Sequence, residues 1–115
     1  MGIFSRNKGK RGERELSMFC REQGYANVHR SAQYRGNTGD AGDLEGLPGI
    51  HIECKRVEKF HIREALAQAA HDAKAKGNIP VVFQRGSNQK WIAVMDAEDW
   101  FKLYREYEAG RNDGN

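Results

Sequence analysis

Residues 50–57 alternate between apolar and polar side chains, and this alternation constrains the fold more than any other segment does. Side chains two residues apart leave the same face of a β-strand. The segment therefore predicts a strand whose apolar face consists of Ile50, Ile52 and Cys54. The other face of that strand carries His51, Glu53 and Lys55. The core explains the apolar face of this strand but not the charges on the other face.

The remaining patterns predict an α/β protein with a mixed central sheet flanked by helices, in the order α-β-β-β-α-β-β-α. Helices are predicted at residues 12–23, 62–76 and 97–108, with Gly24 and Gly77 as stops and Asp96 as an N-cap. Strands are predicted at residues 26–32, 42–46, 50–57, 79–84 and 91–95. The strand at 79–84 is mostly apolar and is expected at the centre of the sheet. Residues 1–7 are predicted as a flexible basic arm, 34–42 as a loop and 110–115 as a polar tail.

The chain has 115 residues, which suits one domain covering residues 1–115. Leu, Ile, Val and Phe together make up less than ~20% of it, so we expect a thin core that favours an oligomer or a ligand. No apolar run approaches the ~20 residues that cross a bilayer, and the N-terminus lacks a signal-peptide pattern. The two cysteines are expected as reduced thiols rather than a disulfide. We therefore expect an intracellular protein without a membrane partner.

Basic residues are concentrated in the first half of the chain. Residues 1–63 hold 12 basic and 8 acidic residues, whereas residues 64–115 hold 7 basic and 8 acidic ones. The densest cluster consists of Arg6, Lys8, Lys10, Arg11 and Arg14. A basic cluster of this kind predicts binding of a polyanion, nucleic acid first, although a solubilising tail is the alternative.

The charged face of the 50–57 strand gains a third group from the preceding segment. A hairpin through the turn at residues 47–49 would bring Asp43 close to Glu53 and Lys55. Two adjacent carboxylates are costly unless a cation or a shared proton neutralises them. Oxygen ligands of this kind suit Mg²⁺, which also binds phosphate oxygens, so the group predicts phosphodiester hydrolysis. A simple surface ion pair between Glu53 and Lys55 is the alternative.

Two motifs resemble those of a known nuclease superfamily. Gly42-Asp43, nine residues and then Glu53-Cys54-Lys55 resemble the PD-(D/E)xK signature. The segment from Lys8 to Leu16 resembles the KGxxxERxL opening of archaeal-type Holliday junction resolvases, which have phage-encoded relatives. The resemblance covers roughly residues 8–95. It implies an αβββαβ restriction-endonuclease-like core, to which this chain adds a strand and a C-terminal helix.

The resemblance also implies a role for individual residues. Catalytic roles fall to Glu13, Asp43, Glu53, Lys55 and Gln68. Glu13, Asp43 and Glu53 would bind Mg²⁺, with Mn²⁺ as a plausible substitute, and Lys55 would assist the attacking water. The residues expected to contact DNA are Lys8, Lys10, Arg11, Arg14, Arg30, Ser31, Arg35 and Arg56. The implied activity is that of a homodimer that cuts branched DNA at four-way junctions.

Some positions leave alternatives open. Glycine at position 42 replaces the proline of the signature, and Asp40 competes with Asp43 as the metal ligand. Glu15 competes with Glu13; the two lie about 200° apart around a helix, so both cannot face one metal. The functional alternatives are a nuclease for flaps, nicks or other DNA, and a non-catalytic nucleic-acid-binding module.

The histidines and the C-terminal aromatic residues receive structural interpretations. The spacing of the four histidines fits no zinc site, and His51 is expected to face solvent. Trp100, Tyr104 and Tyr107 are expected to pack against the domain, with a dimer contact as the alternative.

Overall fold

The structure is a computed structural model that describes residues 2–31 and 43–113, with side chains for residues 9–31 and 43–112. Its elements follow the predicted order, so the predicted α/β architecture is confirmed. The helices are α1 (Gly2–Glu22), α2 (Ile62–Ala73), which continues as a 3-10 turn (Lys74–Lys76), and α3 (Ala97–Asp113). The strands are β1 (His29–Arg30), β2 (Leu44–Glu45), β3 (Ile50–Arg56), β4 (Ile79–Arg85) and β5 (Ile92–Val94).

The five strands form one mixed sheet in the order β1-β2-β3-β4-β5. Strands β3 and β4 are parallel because α2 carries the chain back across the sheet between them, whereas every other pair is antiparallel. β4 lies between β3 and β5 and is therefore an interior strand, although the centre of the five strands is β3 rather than β4 as predicted. This mixed sheet with helices is compatible with a restriction-endonuclease-like core.

The two faces of the sheet carry separate cores. On the α1 face, the buried cluster consists of Leu16, Cys20, Val28, Leu44 and Ile52, with Ile50 and Cys54 packed against it. On the α2 face, the cluster consists of Ala65, Leu66, Ala69 and Val82. The predicted alternation of β3 is therefore confirmed: its apolar side faces α1, and its polar side faces α2. Both cysteines are free thiols, as predicted.

A glycine sets the distance between α1 and β3. A Cβ placed on Gly12 would lie 2.6 Å from the Cβ of Arg56, closer than real side chains approach. Gly12 therefore allows the helix to lie directly against the strand that carries Glu53 and Lys55. The neighbouring Gly9 has open space around its own Cβ position, so its role is different.

Several predicted boundaries are wrong. Helix α1 begins at Gly2 rather than at residue 12, so the backbone of the predicted arm at residues 1–7 is helical from Gly2. Before residue 12 the helix contains four good helix formers, Arg6, Lys8, Lys10 and Arg11, and they outweigh the glycines at positions 2 and 9. Helix α3 continues to Asp113, into the predicted polar tail. Strands β1 and β2 have only two residues each, because two residue pairs join β1 to β2 and one pair joins β2 to β3.

The prediction that Trp100, Tyr104 and Tyr107 pack against the domain is also wrong. All three side chains are exposed, as is almost all of α3. A helical stripe of aromatic residues indicates a contact surface, but its spacing alone does not show whether the contact lies within the chain. In the part of the chain that the structure describes, no helix has the length and apolar character needed to cross a membrane.

Candidate active site

Asp43 is held in place at the start of β2 by three hydrogen bonds. Its backbone N–H donates to the Ile52 carbonyl at 2.8 Å, and its own carbonyl accepts from the Ser31 N–H at 3.0 Å. Its side-chain Oδ2 accepts the N–H of Cys54 at 2.7 Å. The hairpin through residues 47–49 therefore brings Asp43 beside the 53–55 segment, as the sequence predicts. The backbone, rather than a flexible side chain, fixes the position of this carboxylate.

Glu53 is the most strongly perturbed acid of this group. Only 12% of its side chain is exposed, on the β3 face covered by α2. Burial, the charge of Asp43 and a hydrogen bond with the Asp43 carboxyl group raise the pKa of Glu53 to about 8, with a further contribution from Asp72. Lys55 opposes this rise. The Glu53 carboxyl group therefore keeps its proton near neutral pH unless a cation takes its place.

Glu13 joins the group from helix α1. Burial and the charge of Asp43 raise the pKa of Glu13, while a hydrogen bond from Arg30 opposes the rise. The Nε of Arg30 lies 2.8 Å from Oε1 of Glu13. Glu15, the competing acid, turns to the other side of the helix and pairs with Arg56 and Arg85 at 3.1 and 3.2 Å. The structure thus brings Glu13 into the electrostatic field of Asp43, whereas Glu15 pairs with two arginines.

His51 does not face solvent, so that prediction is wrong. Its side chain is 2% exposed, and its Nε2 lies 2.7 Å from Oε1 of Glu53. The cause is α2, which covers the polar face of β3 and turns a predicted surface into an interior. The ring therefore holds one oxygen of Glu53, while the hydrogen bond with Asp43 engages the same carboxyl group from another side.

Asp72 is a further acid that the sequence analysis missed. Among the described residues, His51, Glu53 and Asp72 each offer one ligand atom, and these atoms lie within 4.8 Å of one another. Asp72 is in turn held by Gln68, whose Nε2 donates to both carboxylate oxygens at 3.0 and 3.1 Å. Two spacings in the sequence could have indicated that His51 and Asp72 belong to this group. His51 lies two residues before Glu53, on the same face of the strand, and Asp72 lies four residues after Gln68, on the same face of the helix.

Lys55 and Gln68 border the same cleft between β3 and α2. The cleft has a volume of about 310 Å³, and its lining includes the apolar side chains of Phe60 and Ala65. Lys55 leaves β3 on the same face as Glu53, two residues further along. Gln68 is bonded to Asp72, so its amide reaches the acidic group through that residue.

The residues predicted to contact DNA have different surroundings in the structure. Lys10, Arg11 and Arg14 are exposed on α1, and Arg14 borders a surface depression together with Arg30. Arg56 instead pairs with Glu15 and Glu58, each at 3.1 Å, so it joins α1 to the sheet. Ser31 contributes its backbone to Asp43. Four predicted positions lie outside the described part of the chain: Asp40, Gly42, Arg35 and the side chain of Lys8.

The donor set fits a divalent cation. The Asp43 carboxyl group interacts with both Glu13 and Glu53, and burial together with its charge raises the pKa of both acids. Oxygen donors of this kind suit a hard ion such as Mg²⁺, and a nearby imidazole also suits Mn²⁺. The arrangement can therefore bring a cation, a basic lysine and a phosphate together.

A scan against protein-family models gives a match to the family described as "Phage putative PDDEXK endonuclease", over residues 4–112. The match includes every described residue of the acidic group, together with all the sheet strands. No curated protein and no solved structure matches the chain in the corresponding comparisons.

Proposed function

Because the chain belongs to the phage PDDEXK endonuclease family, we propose that it is a divalent-metal-dependent DNA endonuclease that cuts four-way junctions. One observation carries the catalytic part of this proposal. Asp43 and Glu53 meet beside Lys55 on the covered face of β3, and the pKa of Glu53 is raised to about 8. Such an arrangement serves phosphodiester hydrolysis and has no evident purpose in a passive binding surface.

The acids and the lysine divide the work. Asp43, Glu53 and Glu13 would hold the cation, which when bound would neutralise the scissile phosphate and acidify a water molecule. Asp43 is fixed by the backbone of β3, and Glu53 by His51, so both enter the reaction with little freedom left to lose. Lys55, on the same face, would orient the attacking water with its ammonium group and stabilise the negative charge that develops on the phosphate, while the proton of that water passes to bulk solvent.

The exposed basic residues support DNA as the substrate. Lys10, Arg11 and Arg14 lie on the same helix as Glu13, within one turn of it. Contacts from such residues to phosphates position a nucleic acid without reading its sequence. That property suits an enzyme that recognises a branched shape, and the N-terminal resemblance to junction resolvases favours the four-way junction among branched substrates.

The test compares three labelled substrates in the presence of Mg²⁺: a four-way junction, a flap and a linear duplex. We expect cleavage of the junction to be the fastest, and we expect Lys55→Ala to lower its rate at least 100-fold. Lys74→Ala is the matched control, because this exposed lysine lies in the 3-10 turn after α2 and is not among the charges that act on Glu13 or Glu53. It should cut at the parent rate.

Each outcome of this comparison has a distinct meaning. Equal rates on all three substrates would keep the nuclease and remove the junction preference. Salt-sensitive binding without any cleaved product, in Mg²⁺ and in Mn²⁺, would contradict the enzyme and favour a non-catalytic binding module.

A further inference from the structure

We propose that the exposed aromatic face of α3 joins two copies of this chain as an antiparallel helix pair. The aromatic face is defined by Trp100, Leu103, Tyr104 and Tyr107. The pairing itself does not depend on what the active site cuts, and only its consequence for DNA rests on the proposed function.

The aromatic face is continuous and open to solvent. Its four residues follow the spacing i, i+3, i+4 and i+7, which places them in one stripe along the helix. Their exposures are 47%, 39%, 39% and 59%, and the rings of Trp100 and Tyr104 stack with centroids 5.4 Å apart. A contiguous apolar stripe of this kind is often a functional contact surface, so the face indicates a contact.

Helix α3 also lacks visible support from its own domain. Neither of the two core clusters of the described residues includes a side chain of α3. All residues from Ala97 to Asn112 are exposed, except Asp99, which is half-buried. An isolated helix of about this length is marginal in water, and Gly110 weakens it further. Packing against a partner would supply the stability that the domain does not.

A second copy fits the aromatic face because the stripe is nearly symmetric about its own centre. A two-fold axis between Leu103 and Tyr104 would set Trp100 against Tyr107 of the other copy, and Leu103 against Tyr104. Stripe residues would therefore meet stripe residues along the whole contact. An interface of this type is isologous and closes as a dimer rather than growing into a filament.

The charges at the two ends of the stripe select the antiparallel direction. Asp96 lies four residues before Trp100, and Arg111 lies four residues after Tyr107, so both continue the stripe. The Arg111 guanidinium lies 5.8 Å from the centre of the Tyr107 ring, which places it at the aromatic face. The same two-fold axis would pair Asp96 with Arg111 twice. Parallel helices would instead oppose Asp96 to Asp96 and Arg111 to Arg111.

The area and the charge of α3 agree with this occupant. Aromatic side chains bury ~150–250 Å² each, so the four residues of the stripe at these exposures would bury about 400 Å² per copy. The total of about 800 Å² is that of a small interface, so we expect a weak, reversible dimer. Nucleic acid is disfavoured because α3 carries five acidic and three basic residues, with Asp96 adding a further negative charge.

A paired α3 would give one particle two active sites related by a two-fold axis. Under the proposed function, such a particle matches the approximate two-fold symmetry of a four-way junction, which needs two strand cuts. This step fails if the enzyme has another substrate, whereas the pairing of α3 does not.

The test measures the mass of the full chain by light scattering and sedimentation between 1 and 200 µM, without DNA. These concentrations cover the range over which a weak dimer dissociates into monomers. We expect a dimer of the 13.1 kDa chain. Tyr104→Glu should give a monomer, and Arg111→Asp should raise the dissociation constant at least tenfold. Combining Asp96→Arg with Arg111→Asp should restore dimerisation, because the swap re-forms both charge pairs.

Arg105→Asp is the matched control, because it makes the same charge change as Arg111→Asp at a position outside the stripe. Arg105 lies about 140° around the helix from Trp100. It should dimerise like the parent. Far-UV circular dichroism confirms that each variant keeps its sheet. A monomeric parent at 200 µM, a dimeric Tyr104→Glu variant, or a charge swap without recovery would each overturn the proposal. If the parent is a monomer and Tyr104→Glu lowers its affinity for the junction, the aromatic face binds DNA instead, and the proposal is overturned.

Discussion

At the scale of one residue, the buried carboxyl group of Glu53 links the stability of the fold to pH and to cation binding. In the folded chain its pKa is about 8, against an ordinary value of 4.5. Between these two values the folded state keeps a proton that the unfolded state releases, so stability falls as pH rises through this window. The ionised group therefore destabilises the metal-free fold most above pH 8. A cation reverses this cost by replacing the proton.

Glu53→Gln should consequently stabilise the metal-free protein at alkaline pH. Glutamine keeps an acceptor for His51 and offers an N–H to Asp43, while it removes the buried charge. We expect the Tm of the variant to exceed that of the parent by roughly 5 °C at pH 8.5, and by little at pH 5. Mg²⁺ should raise the Tm of the parent and not of the variant. A difference in Tm that is constant with pH would contradict the assignment.

His51 acts at the same scale as a positioning residue for Glu53. Its Nε2 holds one carboxylate oxygen at 2.7 Å in a nearly dry environment. Removal of groups that orient a ligand typically weakens metal binding by about 10–100-fold. We expect this loss for Mg²⁺ on His51→Ala, measured by titration calorimetry, with partial recovery in His51→Gln. The exposed His71 provides the control, and His71→Ala should leave the affinity unchanged.

At the scale of elements, the contact between α1 and β3 decides whether Glu13 reaches the site. Gly12 makes this contact, and a Cβ there would meet the Cβ of Arg56 at 2.6 Å. The helix would have to move away from the strand, which would carry Glu13 away from Asp43. The exchange of one hydrogen atom for a methyl group would thus change the position of Glu13 by moving a whole helix.

Gly12→Ala should lower the free energy of unfolding by about 1–3 kcal/mol, as overpacking usually does. Gly9→Ala is the matched control on the same helix, because its Cβ would meet nothing within 4 Å. That substitution should be neutral or stabilise the helix by up to about 1 kcal/mol. Urea denaturation measures both values. Equal effects of the two variants would show that α1 does not press on β3.

At the scale of the whole molecule, the sheet and its two cores are separate from α3. Since neither described core cluster uses α3, a chain that ends at residue 96 should keep its fold, with a Tm within a few degrees of the parent. It should be monomeric by sedimentation. On a four-way junction it should release singly nicked intermediates before the second cut. Unfolding of the shortened chain would contradict this separation.

The sequence by itself determined the order of the elements, the two faces of β3 and the meeting of Asp43 with Glu53. Those features depend on local periodicity and on a short hairpin, which act over few residues. Only the tertiary structure decided that α2 covers the polar face of β3. This burial places His51 and Asp72 at the site and raises the pKa of Glu53. Likewise, Glu13 and Glu15 are equivalent in sequence, and the arginines brought near by folding distinguish them.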